Sequence, residues 1–228
     1  MKKINLFLAF LMPLLFFGQL DTYYAYYQTT GNFYDLYGAT QIYQNADSDD
    51  GSVTNIPLGF DFDYNGSIYN TCTISVNGAI SFTETQVDYT NDLGSSQTYS
   101  KNVMAPLWDD LYKRTSDNGI IQYKTDGTAP YRRFYVEWKN ISWRDTGQTV
   151  SFMLVLQETT NNIEFRYGPN NANYNNRTAS IGINDSSAHF MSVTPGNPAT
   201  VSSLTANNNI GTSQYPGEGT FYLFKHLT

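Results

Sequence analysis

Five aspartates have the residue type and spacing to do chemistry in this chain. Asp47, Asp49 and Asp50 fall within Asn45-Ala46-Asp47-Ser48-Asp49-Asp50-Gly51, and Asp109 and Asp110 follow Trp108 directly. Carboxylate oxygens are what a hard cation such as Ca2+ takes as ligands. One bound ion would also relieve the repulsion within the first group. The EF-hand template does not fit. Counted from Asp47, its fifth, sixth and twelfth positions hold Gly51, Ser52 and Leu58, where an oxygen ligand, a glycine and a glutamate are required. The first group therefore reads as a solvated acidic turn or as a Ca2+ loop of another geometry. Asp109 and Asp110 stand where a strand ends, and they read as caps on the next loop or as further ligands.

Other chemistries find less. The histidines are His189 and His226, without the paired spacing of a zinc site. Cys72 is alone, so no intrachain disulfide forms; it alternates with Ile74 and Val76 and reads as a small buried hydrophobe. No Gly-x-Ser-x-Gly elbow presents a serine. A glycosidase needs two facing carboxylates, for which Glu137, Glu158 and Asp109 are the candidates if their strands converge. Glu137 itself alternates with Phe134, Val136 and Trp138 and is expected to face solvent.

The elements that must position these groups are strands. Of 228 residues, 16% are aromatic, with 19 Tyr and 14 Phe, and only 14% are charged. Aromatic side chains favour strands and supply the apolar area that offsets chain ordering. A net charge of −7 without a basic run gives nucleic acid no electrostatic footing. Lys2 and Lys3, the apolar run from Ile4 to Phe17 and small Gly18 read as a signal peptide over residues 1–18. That run of about 14 residues is short of the roughly 20 a transmembrane helix needs. Residues 19–228 are expected to form a single extracellular, all-β, antiparallel β-sandwich of jelly-roll-like type.

Period-two alternation recurs along the chain. Phe60, Phe62 and Tyr64 lead into Asn65-Gly66; Cys72, Ile74 and Val76 lead into Asn77-Gly78. Both Asn-Gly pairs predict tight hairpin turns. The stretch Ala105–Trp143 carries all three tryptophans, Trp108, Trp138 and Trp143. It reads as the centre of the core, with each indole N–H in need of a partner once buried. The expected core comprises Trp108, Phe134, Val136, Trp138, Phe152, Leu154, Leu156 and Phe165. A two-residue turn at Asn161-Asn162 would set Leu156 opposite Tyr167 and leave Glu158 at the rim of the apolar face. There it needs Arg132 or Arg133 as partner. Glu164 and Arg166 are expected to pair on the opposite face. Residues 84–100 and 168–177 read as long polar loops, where binding sites tend to sit. Tyr23, Tyr24, Tyr26, Tyr27, Tyr34, Tyr37 and Tyr43 read as an edge strand or as a stacking platform for sugars.

The order of motifs resembles a known module. Asp49-Asp50-Gly51, Leu58-Gly59-Phe60-Asp61-Phe62, Ile74-Ser75-Val76-Asn77-Gly78, Ala105-Pro106-Leu107-Trp108-Asp109-Asp110-Leu111, Val136-Glu137-Trp138 and Ala179-Ser180-Ile181-Gly182 follow one another. They are similar to an adhesin-like module of secreted and surface proteins of Bacteroidetes-type bacteria. More distantly, the series resembles the extracellular nidogen-like (NIDO) domain. The resemblance implies a secreted or cell-surface adhesion module without a catalytic centre, partnered by a glycan or a surface protein. The alternative is a lectin-like carbohydrate binder, with Ca2+ as a candidate cofactor; a polysaccharide hydrolase is the third reading. Exposed aromatics lining a concave groove would favour the lectin, and two carboxylates about 5–10 Å apart the hydrolase.

Overall fold

The computed structural model describes residues 20–96, 100–144, 148–170, 178–210 and 215–227. The expected signal peptide, residues 1–18, lies outside them, as do residues 171–177 of the second long loop. One turn of helix, α1 (Leu20–Tyr23), precedes fifteen strands. The first eight are β1 (Tyr24–Thr30), β2 (Thr40–Ile42), β3 (Ser52–Tyr64), β4 (Ser67–Ser75), β5 (Ile80–Ser81), β6 (Val103–Trp108), β7 (Leu111–Tyr112) and β8 (Ile120–Asp126). The remainder are β9 (Arg133–Trp143), β10 (Thr149–Gln157), β11 (Ile163–Asn170), β12 (Ser180–Ser186), β13 (His189–Thr194), β14 (Thr200–Ser202) and β15 (Thr220–His226).

They form two antiparallel sheets packed as a sandwich. The eight-stranded sheet runs β1-β15-β11-β10-β9-β8-β2, with β7 beside β9; the seven-stranded sheet runs β14-β13-β12-β6-β5-β4-β3. Alternation explains the layering. Phe134, Val136, Trp138, Phe152, Leu154, Leu156, Phe165 and Phe224 line the inner face of the first sheet, opposite Phe62, Ile74, Met104 and Ile181 of the second. Trp138 and Phe152 stack with centroids 5.2 Å apart, and Trp138 Nε1 crosses the sandwich to donate to Ser75 O at 2.8 Å. Two of the edge strands, β1 and β3, are tied by side chains, which blunts them against pairing with other chains. Gln28 of β1 accepts from Ala199 N at 2.7 Å, and Thr125 Oγ1 of β8 donates to Leu58 O of β3 at 2.7 Å.

Several expectations change in detail. Asn65 and Gly66 both take positive φ and close the β3–β4 hairpin as a tight turn. At Asn77-Gly78 the connection is longer, because Ile74 pairs with Ile80. Asn77 is buried and accepts from Leu111 N at 3.0 Å. The β10–β11 pairing sets Leu156 opposite Ile163 and Phe152 opposite Tyr167, a shift from the expected register. The turn begins earlier because Gln157 closes it, its N–H donating to Asn162 O at 3.1 Å and its carbonyl accepting from Asn161 N at 3.0 Å, with Thr159 and Asn161 at positive φ. β11 continues through Gly168 to Asn170, into what reads as loop.

The tryptophans divide between two cores. Trp108 points to the outer face of its sheet and packs with Val87, Leu93, Val103 and Phe190 in a second cluster. Residues 84–96 therefore cover a sheet face instead of projecting from it, and Trp108 Nε1 donates to Asp88 O at 2.6 Å.

Candidate functional site

The isolated bridge between Ser48 and Lys113 brings the first acidic loop alongside the segment after β6. Three of the five aspartates meet there: one carboxylate oxygen each from Asp49, Asp50 and Asp110 lie within 4.8 Å of one another. That is about twice a Ca2+–oxygen bond. Asp50 Oδ1 also accepts from Asn77 Nδ2 at 3.1 Å, and Asp49 pairs with Arg144 Nε at 3.4 Å. Asp47 stands apart and exposed. It accepts from Thr115 N at 2.8 Å and Thr115 Oγ1 at 2.7 Å, and these bonds hold its carboxyl below the usual range.

Asp109 turns inward. Its Oδ1 accepts from Asp110 N at 2.8 Å and Asn91 Nδ2 at 3.1 Å, and its Oδ2 accepts from Trp143 Nε1 at 2.6 Å. It thus caps the loop that follows, and it also ties the 84–96 cover to β9. Burial pushes its carboxyl up to about 6, against the hydrogen bonds from Trp143 and Asp110 that lower it.

The three acids considered for hydrolysis do not converge. Glu158 accepts from Arg132 N at 2.9 Å and Arg132 Nε at 2.8 Å, just before β9 begins, so the expected Arg132 pairing forms. Glu137 is mid-strand, and Asp109 meets Trp143 at the far end. At roughly 3.3 Å per strand residue, neighbouring members are about 17–20 Å apart along β9, well beyond the spacing of a glycosidase pair.

Glu137 is the principal correction: it is fully buried, not solvent-facing. The alternation places it on the outer face correctly, but the segment 31–39 between β1 and β2 folds down over that face. Glu137 Oε2 accepts from Leu36 N at 3.3 Å and from Gln122 Nε2 at 2.6 Å. Lys139 Nζ reaches Asp35 Oδ2 at 2.6 Å. Phe33 packs on Gly168, where any Cβ would collide with its ring.

These anchors hold Tyr34 and Tyr37 out in solvent, 71% and 80% exposed. Beside them lies a cleft of about 320 Å3 lined by Tyr34, Asp35, Tyr37, Lys124, Tyr135 and Arg166, among others. Lys124 pairs with Asp126 at 3.0 Å, and Arg166 pairs with Glu164 at 2.5 Å as expected. A second cavity, about 380 Å3, is bordered by Gln28, Asn197, Tyr215 and Tyr222. Its rings are less exposed than Tyr34 and Tyr37: Tyr222 is wholly buried and Tyr215 half-buried.

The sequence singles out Tyr34 and Tyr37 but groups them with the edge strand β1. Asp35, Lys124, Asp126 and Tyr135 it does not single out as a site. The available signal was the loss of alternation after Thr30. Tyr34, Tyr37 and Tyr135 border a cleft built from a loop laid across a sheet.

Among the described residues no helix is long and apolar enough to cross a membrane. No curated protein and no solved structure matches the chain. A family model described as NIDO related matches residues 23–226, which spans both sheets, the carboxylate cluster and the tyrosine cleft. On that match, the chain belongs to the NIDO-related family, whose domains are of extracellular interaction type.

Proposed function

We propose that this protein is a secreted or cell-surface, non-catalytic interaction domain that engages its partner, a glycan or a surface protein, through the tyrosine cleft on the eight-stranded sheet. The observation that carries this reading is the pairing of high exposure with tight anchoring. Tyr34 and Tyr37 are among the most exposed large side chains described, yet between them Glu137 and Gln122 fasten the Leu36 backbone and Lys139 fastens the Asp35 side chain. Aromatic rings held in advance in solvent lose little freedom on contact, which is how rigid anchor residues gain affinity. What supports the non-catalytic reading is the separation of Glu137, Glu158 and Asp109 along β9.

The test is surface plasmon resonance of the purified protein against immobilised extracellular glycoproteins, run beside an assay for reducing ends released from polysaccharides. Saturable binding that weakens at least tenfold in Tyr34→Ser/Tyr37→Ser, with no reducing ends released, is the expected result. Binding indifferent to both tyrosines, or sustained sugar release, would overturn it.

A further inference from the structure

Resting on the interaction reading above, we infer that the cleft between segment 31–39 and the outer face of the eight-stranded sheet is a subsite for a neutral saccharide of one or two rings. The floor comes from four consecutive strands, with Lys124 on β8, Tyr135 on β9, Met153 on β10 and Arg166 on β11. At about 4.8 Å between strands, that floor is roughly 14 Å across. Tyr34, Asp35, Leu36 and Tyr37 form the wall. A volume of about 320 Å3 is at the small end of ligand cavities, which suits a short sugar and not a polymer segment.

Charge selects the class. The lining holds two carboxylates, Asp35 and Asp126, and two cations, Lys124 and Arg166, so its formal charges cancel. Each is already paired: Lys124 with Asp126 at 3.0 Å, Asp35 with Lys139 at 2.6 Å, and Arg166 with Glu164 at 2.5 Å. An anionic ligand would face Asp35 and Asp126, and a cationic one would face Lys124 and Arg166. A hydroxyl is both donor and acceptor. Adjacent sugar hydroxyls therefore donate to a carboxylate and accept from its cation without separating net charge. The Lys124–Asp126 pair is the one best placed for this, because it is open to water and such pairs hold weakly.

The rings supply the remainder. Tyr34, Tyr37 and Tyr135 give the cleft three amphipathic faces with hydroxyl tips, and such rings sit well where one side of a ligand is apolar and the other wet. A peptide has less to hold it. Strand addition needs an open sheet edge, whereas β9 and β10 at the centre of the floor are hydrogen-bonded on both sides, and β8 and β11 pair outward with β2 over Ile121–Tyr123 and with β15 over Ile163–Arg166.

Isothermal titration of the purified full chain with neutral gluco-, manno-, galacto- and chito-oligosaccharides tests the inference, with oligogalacturonate as the acidic comparator. At least one neutral oligosaccharide is expected to bind and the acidic one to bind at least tenfold more weakly. Tyr34→Ser/Tyr37→Ser should weaken the neutral ligand at least tenfold, and Tyr34→Phe/Tyr37→Phe, which keeps the rings, less than threefold. Both pairs sit on exposed positions, so their unfolding midpoints should match the parent. Failure of every neutral sugar to bind, binding unchanged by the serine pair, or preference for the acidic sugar would each overturn the saccharide assignment. Tyrosine-dependent binding to enzymatically deglycosylated glycoprotein, with no sugar bound, would overturn that assignment and leave the interaction reading standing. Absence of binding to sugar and to glycoprotein alike would remove both.

Discussion

Glu137 holds the Leu36 backbone across the outer face of the sheet: its Oε2 accepts from Leu36 N at 3.3 Å, while Gln122 Nε2 donates both to that oxygen at 2.6 Å and to Leu36 O at 2.7 Å. Both polar groups of one loop residue are thus fixed by two side chains of adjacent strands. Burial raises the Glu137 carboxyl above its usual range, and the hydrogen bonds from Gln122 and Leu36 oppose that rise. The arrangement costs free energy in desolvation and returns it as a loop with one conformation.

Glu137→Ala removes the acceptor shared by Leu36 N and one N–H of the buried Gln122 amide, whose other bond, to Leu36 O, remains. It should cost about 2–3 kcal/mol and speed hydrogen exchange at Leu36. Glu137→Gln keeps an acceptor oxygen and removes the buried charge, so it should stay within about 1 kcal/mol of the parent. Chemical denaturation and native-state exchange check both. Equal costs for the two variants would show that the acceptor does not anchor the loop.

Gly78 tests the longer connection after β4. Its φ is +77°, and a Cβ there would collide with the Leu107 carbonyl oxygen, which is backbone and has no flexible end to move. Gly78→Ala combines a left-handed conformation with that clash, and each such strain costs about 1–3 kcal/mol. The variant should lose at least about 2 kcal/mol in urea unfolding. A smaller loss would mean that β6 can move away from the turn.

The period-two pattern made the layers legible because one face of each strand is buried and a one-residue slip would expose Phe152, Leu154 and Leu156 together. The same logic could not fix the β10–β11 register. The observed pairing differs from the expected one by an even number of residues, and an even slip leaves every side chain on its own face. Trp108 is buried as expected, but its size announces burial and not the face, and the loop that buries it is short of apolar residues apart from Val87 and Leu93. Glu137 was placed on the correct face. What covers it is a segment without alternation, so nothing in β9 itself announces the cover. The tyrosine cleft stayed hidden because its lining comes from one loop and four strands, joined only in space.

Of the five aspartates considered for calcium, Asp49, Asp50 and Asp110 are the three whose carboxylates lie together. Thermal unfolding in EDTA and then in millimolar Ca2+ measures whether an ion binds the folded state. A ligand at 100 times its dissociation constant stabilises by about 2.7 kcal/mol. The expected outcome is a rise in Tm that Asp110→Asn abolishes and Asp47→Asn, aimed at a residue held by Thr115, leaves intact. An unchanged Tm in the parent protein would leave Asp50 and Asp49 as loop groups held by Asn77 and Arg144, with Asp110 beside them.

Asp109 gives the fold a pH dependence of definite sign. Burial raises its carboxyl to about 6 from the ordinary 3.8. Between those values the folded chain binds the proton and the unfolded chain does not. Stability therefore grows as pH falls through about 6, and the gain is complete below about 4. A shift of about two units corresponds to roughly 3 kcal/mol. Glu158, whose carboxyl is lowered by its bonds to Arg132, works in the opposite direction, so the net profile of the parent mixes the two. Asp109→Asn separates them, because Glu158 and Glu137 are common to both proteins and cancel in the difference. The variant should be less stable than the parent throughout, since an amide at 109 offers fewer acceptors to Asn91, Asp110 and Trp143. Urea unfolding of both from pH 7 to pH 4 should show the parent's advantage widening by about 3 kcal/mol. A constant difference across that range would mean that Asp109 stays ionised, and that its donors Asn91, Asp110, Trp143 and Thr178 outweigh its burial.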